Sequence, residues 1–508
     1  MNADSPSASG KPGDAAPRTF ARGLGLFDSV MVVVGVMIGS GIFIVSADMA
    51  RSIGSAGWLL VAWGFAGVLT IFGAICYGEL AAMLPHAGGM YIYLREAFSP
   101  LWGFLYGWTL FTVIQTGTIA AVAIAFARFS GVIFPWVSEE HYLIAPHHIS
   151  SGYAFSLSSA QVVAIILIII LAWTNSRGLE YGKIVQNIFT VAKTAALLAL
   201  IVLGLTLGWN WQVVHANFSH AWTAQGVSPI AAGLDATTIF GLLVALCVAQ
   251  TGSLFSADSW HDITFAASEV ENPRRTLPRA LAIGTIIVIV LYLLANVAYL
   301  VVLPLSAIQH APADRVATAM LQRMFPMLGA PLMAAAIMVS TIGTVNALTL
   351  AGARTYYAMA CDGLFFPRAA RLSATRVPGH ALWMQCLWAV LLVFPRTYDP
   401  ATHTYGNLYS NLLSYIISAA LLFYILTISA VIRLRKKMPN AERPYRAWGY
   451  PVVPVLYIVG AIAIVVALFT YQAPTTWPGL VIVILGAPIY WLLSRSAHTR
   501  RVTGSESS

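Results

Sequence analysis

Three stretches of this chain set polar or conformationally soft residues inside apolar surroundings. Gly35-Val36-Met37-Ile38-Gly39-Ser40-Gly41-Ile42-Phe43 gathers three glycines and a serine in the middle of an apolar segment. Gln250-Thr251-Gly252-Ser253-Leu254-Phe255-Ser256-Ala257-Asp258-Ser259-Trp260-His261-Asp262 follows an apolar run and is too polar for a helix facing lipid. Lys193, in Asn187-Ile188-Phe189-Thr190-Val191-Ala192-Lys193-Thr194, brings an ammonium into a third. Each Gly lowers helix propensity by about 1 kcal/mol relative to Ala, and lipid cannot hydrogen-bond an unwound backbone, so a break is tolerable only beside a protein cavity. There the freed N–H and C=O groups can meet a small charged molecule. The competing reading of the first stretch is a packing seam, because small residues four apart also let helices approach closely.

Composition supplies the membrane. Of 508 residues 58% are hydrophobic and 9% charged, and the mean hydropathy is +0.76, which leaves too little polar surface to wrap a soluble core of this size. Apolar runs recur at 26–50, 58–84, 101–134, 158–176, 182–208, 234–265, 278–304, 328–360, 380–396, 408–434, 452–472 and 476–494. These are twelve expected spans, each near the roughly 20 residues a crossing helix needs. They lack the ten-residue alternation of a membrane barrel, so the fold class is an all-α polytopic bundle.

The net charge of +9 does not point to nucleic acid, because the cations sit at alternate connections. Arg18 and Arg22, Arg95, Arg177 and Lys183, Arg274 to Arg279, Arg368 to Arg376, Arg433 to Lys437, and Arg495 to Arg501 mark every second loop. By the positive-inside rule both termini are cytoplasmic. Residues 1–24 are rich in Ser, Ala, Gly and Pro, lack the order of a signal peptide, and read as a disordered tail; 495–508 form a second tail. Cys76, Cys247, Cys361 and Cys386 fall within or at the ends of spans without metal-ligand spacing and read as packing residues. No metal or cofactor is expected. The outer loop from Pro135 to Ser156 holds Glu139, Glu140, His141, His147 and His148, for which solvation is reason enough, and Asn217-Phe218-Ser219 has the form of a glycosylation acceptor.

Interruptions in spans one and six, five helices apart, predict an inverted repeat of five plus five with a binding site between the breaks. The transporter core then covers 25–434, its halves about 25–208 and 234–434, and 452–494 adds two helices. At 1.5 Å per residue, Ser40 lies about 20 Å above Leu26, Asp258 about 16 Å from Glu269 and Lys193 about 15 Å above Lys183. All three are near the midplane. A lysine there costs about 2.5–3.5 kcal/mol and calls for oxygen ligands, the alternative being a side chain that snorkels to the interface.

These residues, in their order, resemble the amino acid–polyamine–organocation transporters, and among them the bacterial relatives of L-type amino acid transporters. The markers are Gly39-Ser40-Gly41-Ile42-Phe43; Glu79-Leu80 followed by Pro85, Gly88-Gly89 and Tyr91; Phe255 with Asp258 and Trp260; Glu269 with Asn272-Pro273 and Pro278-Arg279; and Arg443-Pro444-Tyr445 before Pro451 and Pro454. The resemblance covers roughly Phe27 to Leu493 and implies the LeuT-like fold with discontinuous helices 1 and 6. It departs at Val36, where many relatives carry a hydroxyl, and at Ser259, where many carry Gly. Eukaryotic members that pair with a heavy chain use a cysteine in the loop after helix three; this loop has none, so no disulfide-linked partner is expected, and the chain reads as a monomer or weak homo-oligomer.

The resemblance also implies a site for an amino acid zwitterion. Backbone amides of Gly39-Ser40-Gly41 and Ile42 would hold its carboxylate, and carbonyls near Met37, Ile38, Phe255 and Ser256 its ammonium. Asp258 would sit beside the ammonium or take a cationic side chain; equally, it caps the second half of helix six, aided by Ser256 and Ser259. Phe255 resembles a gate over the substrate, against ordinary packing, and Trp260 reads as packing. Lys193, with Thr344 as hydroxyl partner, resembles the lysine that stands where related transporters bind sodium. These features imply a sodium-independent transporter working by exchange or proton symport, with neutral L-amino acids favoured by Val36, Met37 and Phe255. A cationic amino acid or polyamine carrier, a non-transporting sensor and a channel are the alternatives. An intramembrane enzyme is disfavoured: there is no His-Glu-x-x-His, no Ser/His/Asp arrangement at one depth and no nucleotide loop.

Overall fold

The computed structural model describes residues 23–150, 152–177, 180–373, 377–399, 404–405 and 407–505. Most of the expected N-terminal tail lies outside them. Gly23 and Leu24, assigned to that tail, instead donate their amides to the Glu269 carbonyl at 3.0 and 3.1 Å, so the chain is already tied down before the first helix.

Among the described residues eleven helices are long and apolar enough to cross a membrane. We number the spans in chain order: 1 (Leu26–Ile44), 2 (Ala56–Met83), 3 (Pro100–Ile133), 4 (Ser159–Ser176), 5 (Gln186–Thr206), 6 (Ile239–Glu269), 7 (Pro273–Val302), 8 (Gly329–Cys361), 10 (Leu408–Lys437), 11 (Val452–Tyr471) and 12 (Ala473–Leu493). The protein is a multi-pass helical membrane protein. The ninth expected span, 380–396, is a shorter helix, Gly379–Leu392. Its 14 residues rise about 21 Å, less than a hydrocarbon layer of about 30 Å. It ends early because the chain turns into a strand at Pro395. Span 12 continues as helix to Ser505, through part of the second expected tail.

Local signals explain several ends. Ser158 accepts the Gln161 amide at 3.3 Å while the Gln161 side chain accepts the Ser158 amide at 2.7 Å, a capping box that starts span 4. Asn407 takes the amides of Tyr409 and Ser410 and starts span 10. Gly54, at φ 67°, closes the segment after span 1, and Ser55 caps span 2 through the Trp58 amide at 3.2 Å. The two interrupted segments lie antiparallel: Leu26–Met37 packs against Trp260–Glu269, and Ser46–Ile53 against Ile239–Ser256.

The expectation of an all-α chain needs correction. Strands β1 (Tyr142–Ser150), β2 (Tyr153–Ser158), β3 (Pro395–Asp399) and β4 (Thr404–Tyr405) form one antiparallel sheet in that order. It joins the connection between spans 3 and 4 to the one before span 10. His148 does more than meet solvent, since it packs edge-on to Tyr398 with ring centres 4.3 Å apart. Arg396 donates to the Tyr142 hydroxyl at 2.6 Å, and Arg128 pairs with Glu139 at 2.8 Å beneath the sheet.

Asn217 is likewise not a surface acceptor. Its side chain donates to the carbonyls of Leu300 (2.6 Å) and Leu303 (2.9 Å) and accepts the Leu305 amide at 2.8 Å, fastening the connection after span 5 to the end of span 7. Asn217→Ala strands two carbonyls and an amide and is expected to cost about 1–3 kcal/mol. A lower melting temperature in detergent would show it, and expression in a glycosylating host should add no sugar at Asn217.

Candidate substrate site

The helix of span 1 stops at Met37, where Ile38 leaves helical geometry at ψ 87°, and resumes at Gly41. Among the described residues the amides of Ser40, Gly41 and Ile42 have no backbone acceptor, as a helix start requires. The carbonyls of Met37 and Ile38, by contrast, are approached. Gly39 donates to Met37 at 2.8 Å. Tyr292 of span 7 donates its hydroxyl to the Met37 carbonyl at 2.7 Å. Ser340 and Thr344 of span 8 reach the Ile38 carbonyl at 3.3 and 3.1 Å.

Span 6 breaks opposite. Its helix ends at Ser256, the backbone passes through Ser259 at φ 64°, and a tight 3₁₀ helix runs on from Trp260. The Ser256 carbonyl faces the same Tyr292 hydroxyl, at 3.0 Å. One phenol thus stands between the two breaks. They touch at Gly41, where an added Cβ would lie 2.8 Å from Ser256 Cβ and 2.9 Å from its Cα.

Asp258, 5% exposed, accepts a hydrogen bond from the Tyr424 hydroxyl of span 10 and borders a small cavity lined by Thr70, Leu254, Trp260, Leu421 and Tyr457. Its carboxylate is turned towards span 10 and also takes the Ser259 amide, while Ser259 makes no side-chain cap bond and the Ser256 hydroxyl donates backwards to Gly252 at 2.9 Å. Phe255 meets the Tyr409 ring edge-on, centres 5.9 Å apart. Trp260 packs edge-on to Tyr77 at 4.7 Å, as its packing role requires.

Lys193, 1% exposed, does not snorkel. Its ammonium donates to the Gly35 carbonyl of span 1 and, at 2.9 Å, to the Thr344 hydroxyl of span 8. The hydroxyl leads on to the Ile38 carbonyl. A single lysine on span 5 therefore ties the lower edge of the first break to span 8, with the oxygen ligands a buried ammonium demands.

Sequence reasoning missed Tyr292, Tyr409 and Ser340. A signal existed for the first. Tyr292, Asn296 and Tyr299 follow a helical i, i+4, i+7 stripe, and each bonds the interrupted segment: Tyr292 the Met37 carbonyl, Asn296 the Ser46 hydroxyl at 2.7 Å, Tyr299 the Ile42 carbonyl at 3.2 Å.

A family model described as amino acid permease matches residues 24–493. The chain belongs to the amino acid permease family. This permease is 27% identical to the serine/threonine exchanger SteT of Bacillus subtilis, over 92% of its own chain and 96% of that protein. It is 28% identical to the mouse b(0,+)-type amino acid transporter 1, over 92% and 87%, and 27% identical to the human large neutral amino acids transporter small subunit 2, over 97% and 85%.

The permease's other markers converge at the end of the bundle away from the sheet. Glu79, 2% exposed, takes Arg435 at 2.8 and 2.6 Å, the Ala447 amide at 2.7 Å and the Arg443 guanidinium at 3.5 Å. Glu269 takes Arg354 at 2.5 and 3.0 Å. Glu79→Gln would leave two guanidinium groups without their carboxylate and is expected to cost about 3 kcal/mol or more; thermal aggregation followed by size exclusion measures it. Tyr292→Phe, which keeps the ring but removes the hydroxyl shared by the Met37 and Ser256 carbonyls, is expected to cost about 1–3 kcal/mol, read as a lower melting temperature in detergent.

Proposed function

We propose that this chain is a secondary transporter that moves amino acids across a cytoplasmic membrane by alternating access, as an exchanger or proton symporter independent of sodium. The observation that carries the reading is the Lys193 ammonium, fixed between Gly35 and Thr344 at the edge of a broken helix whose Ser40, Gly41 and Ile42 amides have no acceptor among the described residues. The amides of Ser40, Gly41 and Ile42 would take the substrate carboxylate at the positive end of the restarted helix. The carbonyls of Met37, Ile38 and Ser256 keep second lone pairs for its ammonium even while hydroxyls approach them. A charged Lys193 would stand in for a coupling sodium, and one that gives up its proton would couple transport to protons. The antiparallel packing of the two interrupted segments supports a five-plus-five inverted repeat, and the arginine clusters favour a cytoplasmic side for the Glu79 end and both termini.

Neutral L-amino acids are the favoured substrates, since Val36, Met37, Ile38 and Phe255 present apolar surface around the breaks. The names of the serine/threonine exchanger and the large neutral amino acids transporter subunit agree with this choice. Asp258 favours a second reading, in which its carboxylate beside the small cavity admits cationic side chains. The transporter would work without a disulfide-linked heavy chain.

Purified protein in liposomes, given a panel of amino acids with and without sodium and a proton gradient, tests the reading. Uptake of neutral amino acids in sodium-free buffer is expected, driven by internal amino acid or by external acid. Strict sodium dependence, or binding without flux, would overturn it. Gly41→Val, whose side chain meets Ser256, is expected to abolish uptake while the protein still elutes as a folded species.

A further inference from the structure

Tyr409 lies in the first turn of span 10, held there by Asn407, which accepts the Tyr409 amide at 3.0 Å. Its side chain is fully buried and runs down to the first break, where its hydroxyl is 2.9 Å from that of Ser40. Two hydroxyls carry two protons, and the bond between them uses one. Among the described residues neither oxygen has a further hydrogen-bond partner, so one O–H remains to be donated. Ser40 also begins the run of amides, Ser40, Gly41 and Ile42, that have no acceptor among the described residues. The surroundings favour donation to an anion: the Arg128 guanidinium lies over the Tyr409 ring, 5.6 Å from its centre, while its own N–H groups are directed to Glu139, Asn407 and the Ala313 carbonyl. Phe255 covers the ring from the side and keeps it dry.

We infer that Tyr409 is a substrate-binding residue whose hydroxyl, paired with that of Ser40, donates to the carboxylate of the amino acid and completes the amide cradle. The inference rests on the functional reading above and sharpens it: the site selects an α-carboxylate, and amines of the same side chain bind without help from Tyr409. A hydrogen bond to a charged group in a dry site accounts for about tenfold in affinity or more.

The experiment compares wild type with Tyr409→Phe in liposomes. The substitution retains the ring, its contact with Phe255 and its place under Arg128, and monodisperse elution with an unchanged melting temperature checks the fold. Uptake of a transported amino acid is measured with two competitors, the same amino acid unlabelled and its carboxamide, in which a neutral group replaces the carboxylate. The expected result is a rise of about tenfold in KM and in the half-inhibitory concentration of the unlabelled acid, with that of the carboxamide unchanged and Vmax within about twofold. Equal weakening of both competitors, or a fall in Vmax at constant KM, assigns Tyr409 to packing or gating and overturns the inference. Should the carboxamide compete with neither protein, the KM-against-Vmax split alone decides. A wild type that takes up no amino acid overturns the functional reading and the inference with it, whereas normal wild-type uptake with an indifferent Tyr409→Phe overturns the inference only.

Discussion

A helix broken in the middle of a membrane protein has to find its missing hydrogen bonds in other side chains, because lipid supplies none. Two such breaks face one another in this chain, and the surrounding helices are arranged around meeting their needs. Span 7 sends Tyr292, span 8 sends Ser340 and Thr344, and span 5 sends Lys193, all to carbonyls of the broken segments. No comparable group reaches the amides of Ser40, Gly41 and Ile42 among the described residues. The Met37 and Ile38 carbonyls have protein donors and these three amides have no acceptor, so the break offers free N–H groups at that point. An unsatisfied N–H in a dry interior is costly, and an anionic group is the natural means of relieving it.

Lower in the bundle, charge is used differently. Glu79 gathers Arg435, Arg443 and a backbone amide, and Glu269 holds Arg354 through both oxygens. Isolated carboxylates at such depth would be expensive, but each is paired with a planar guanidinium able to match both of its oxygens. These pairs join span 2 to the region around span 10, and span 6 to span 8. The Glu269 carbonyl also receives the amides of Gly23 and Leu24, so the foot of span 1 and the foot of span 6 are fastened together.

Much of this was readable in the sequence because the signals are local and strong. Three glycines in nine residues, a polar run after an apolar one, and a lysine in a membrane helix each violate what lipid permits, and the structure puts a helix break or a buried ligand set at each. The sheet was not readable. β2 finds β3 across more than two hundred residues, and its strands are short and carry Pro and His, so no alternation announces them. Tyr292 and Tyr409 were hidden for another reason: a tyrosine in a membrane protein is usually placed at the interface, and only the three-dimensional neighbours reveal that these reach inward. Asn217 failed in the same way, since its motif describes a surface and its three hydrogen bonds describe an interior.

The Tyr292 hydroxyl has a single proton and two carbonyl acceptors, Met37 at 2.7 Å and Ser256 at 3.0 Å, one on each broken segment. It cannot serve both fully at once. A small rotation about one C–O bond moves the proton from one to the other: the Met37 carbonyl then still holds the Gly39 amide, whereas the Ser256 carbonyl depends on Tyr292. The junction between the segments is therefore shared: one hydroxyl proton serves a carbonyl on each side and can favour only one at a time. The segments can separate by losing a shared partner to either side, without first breaking a full bond on both.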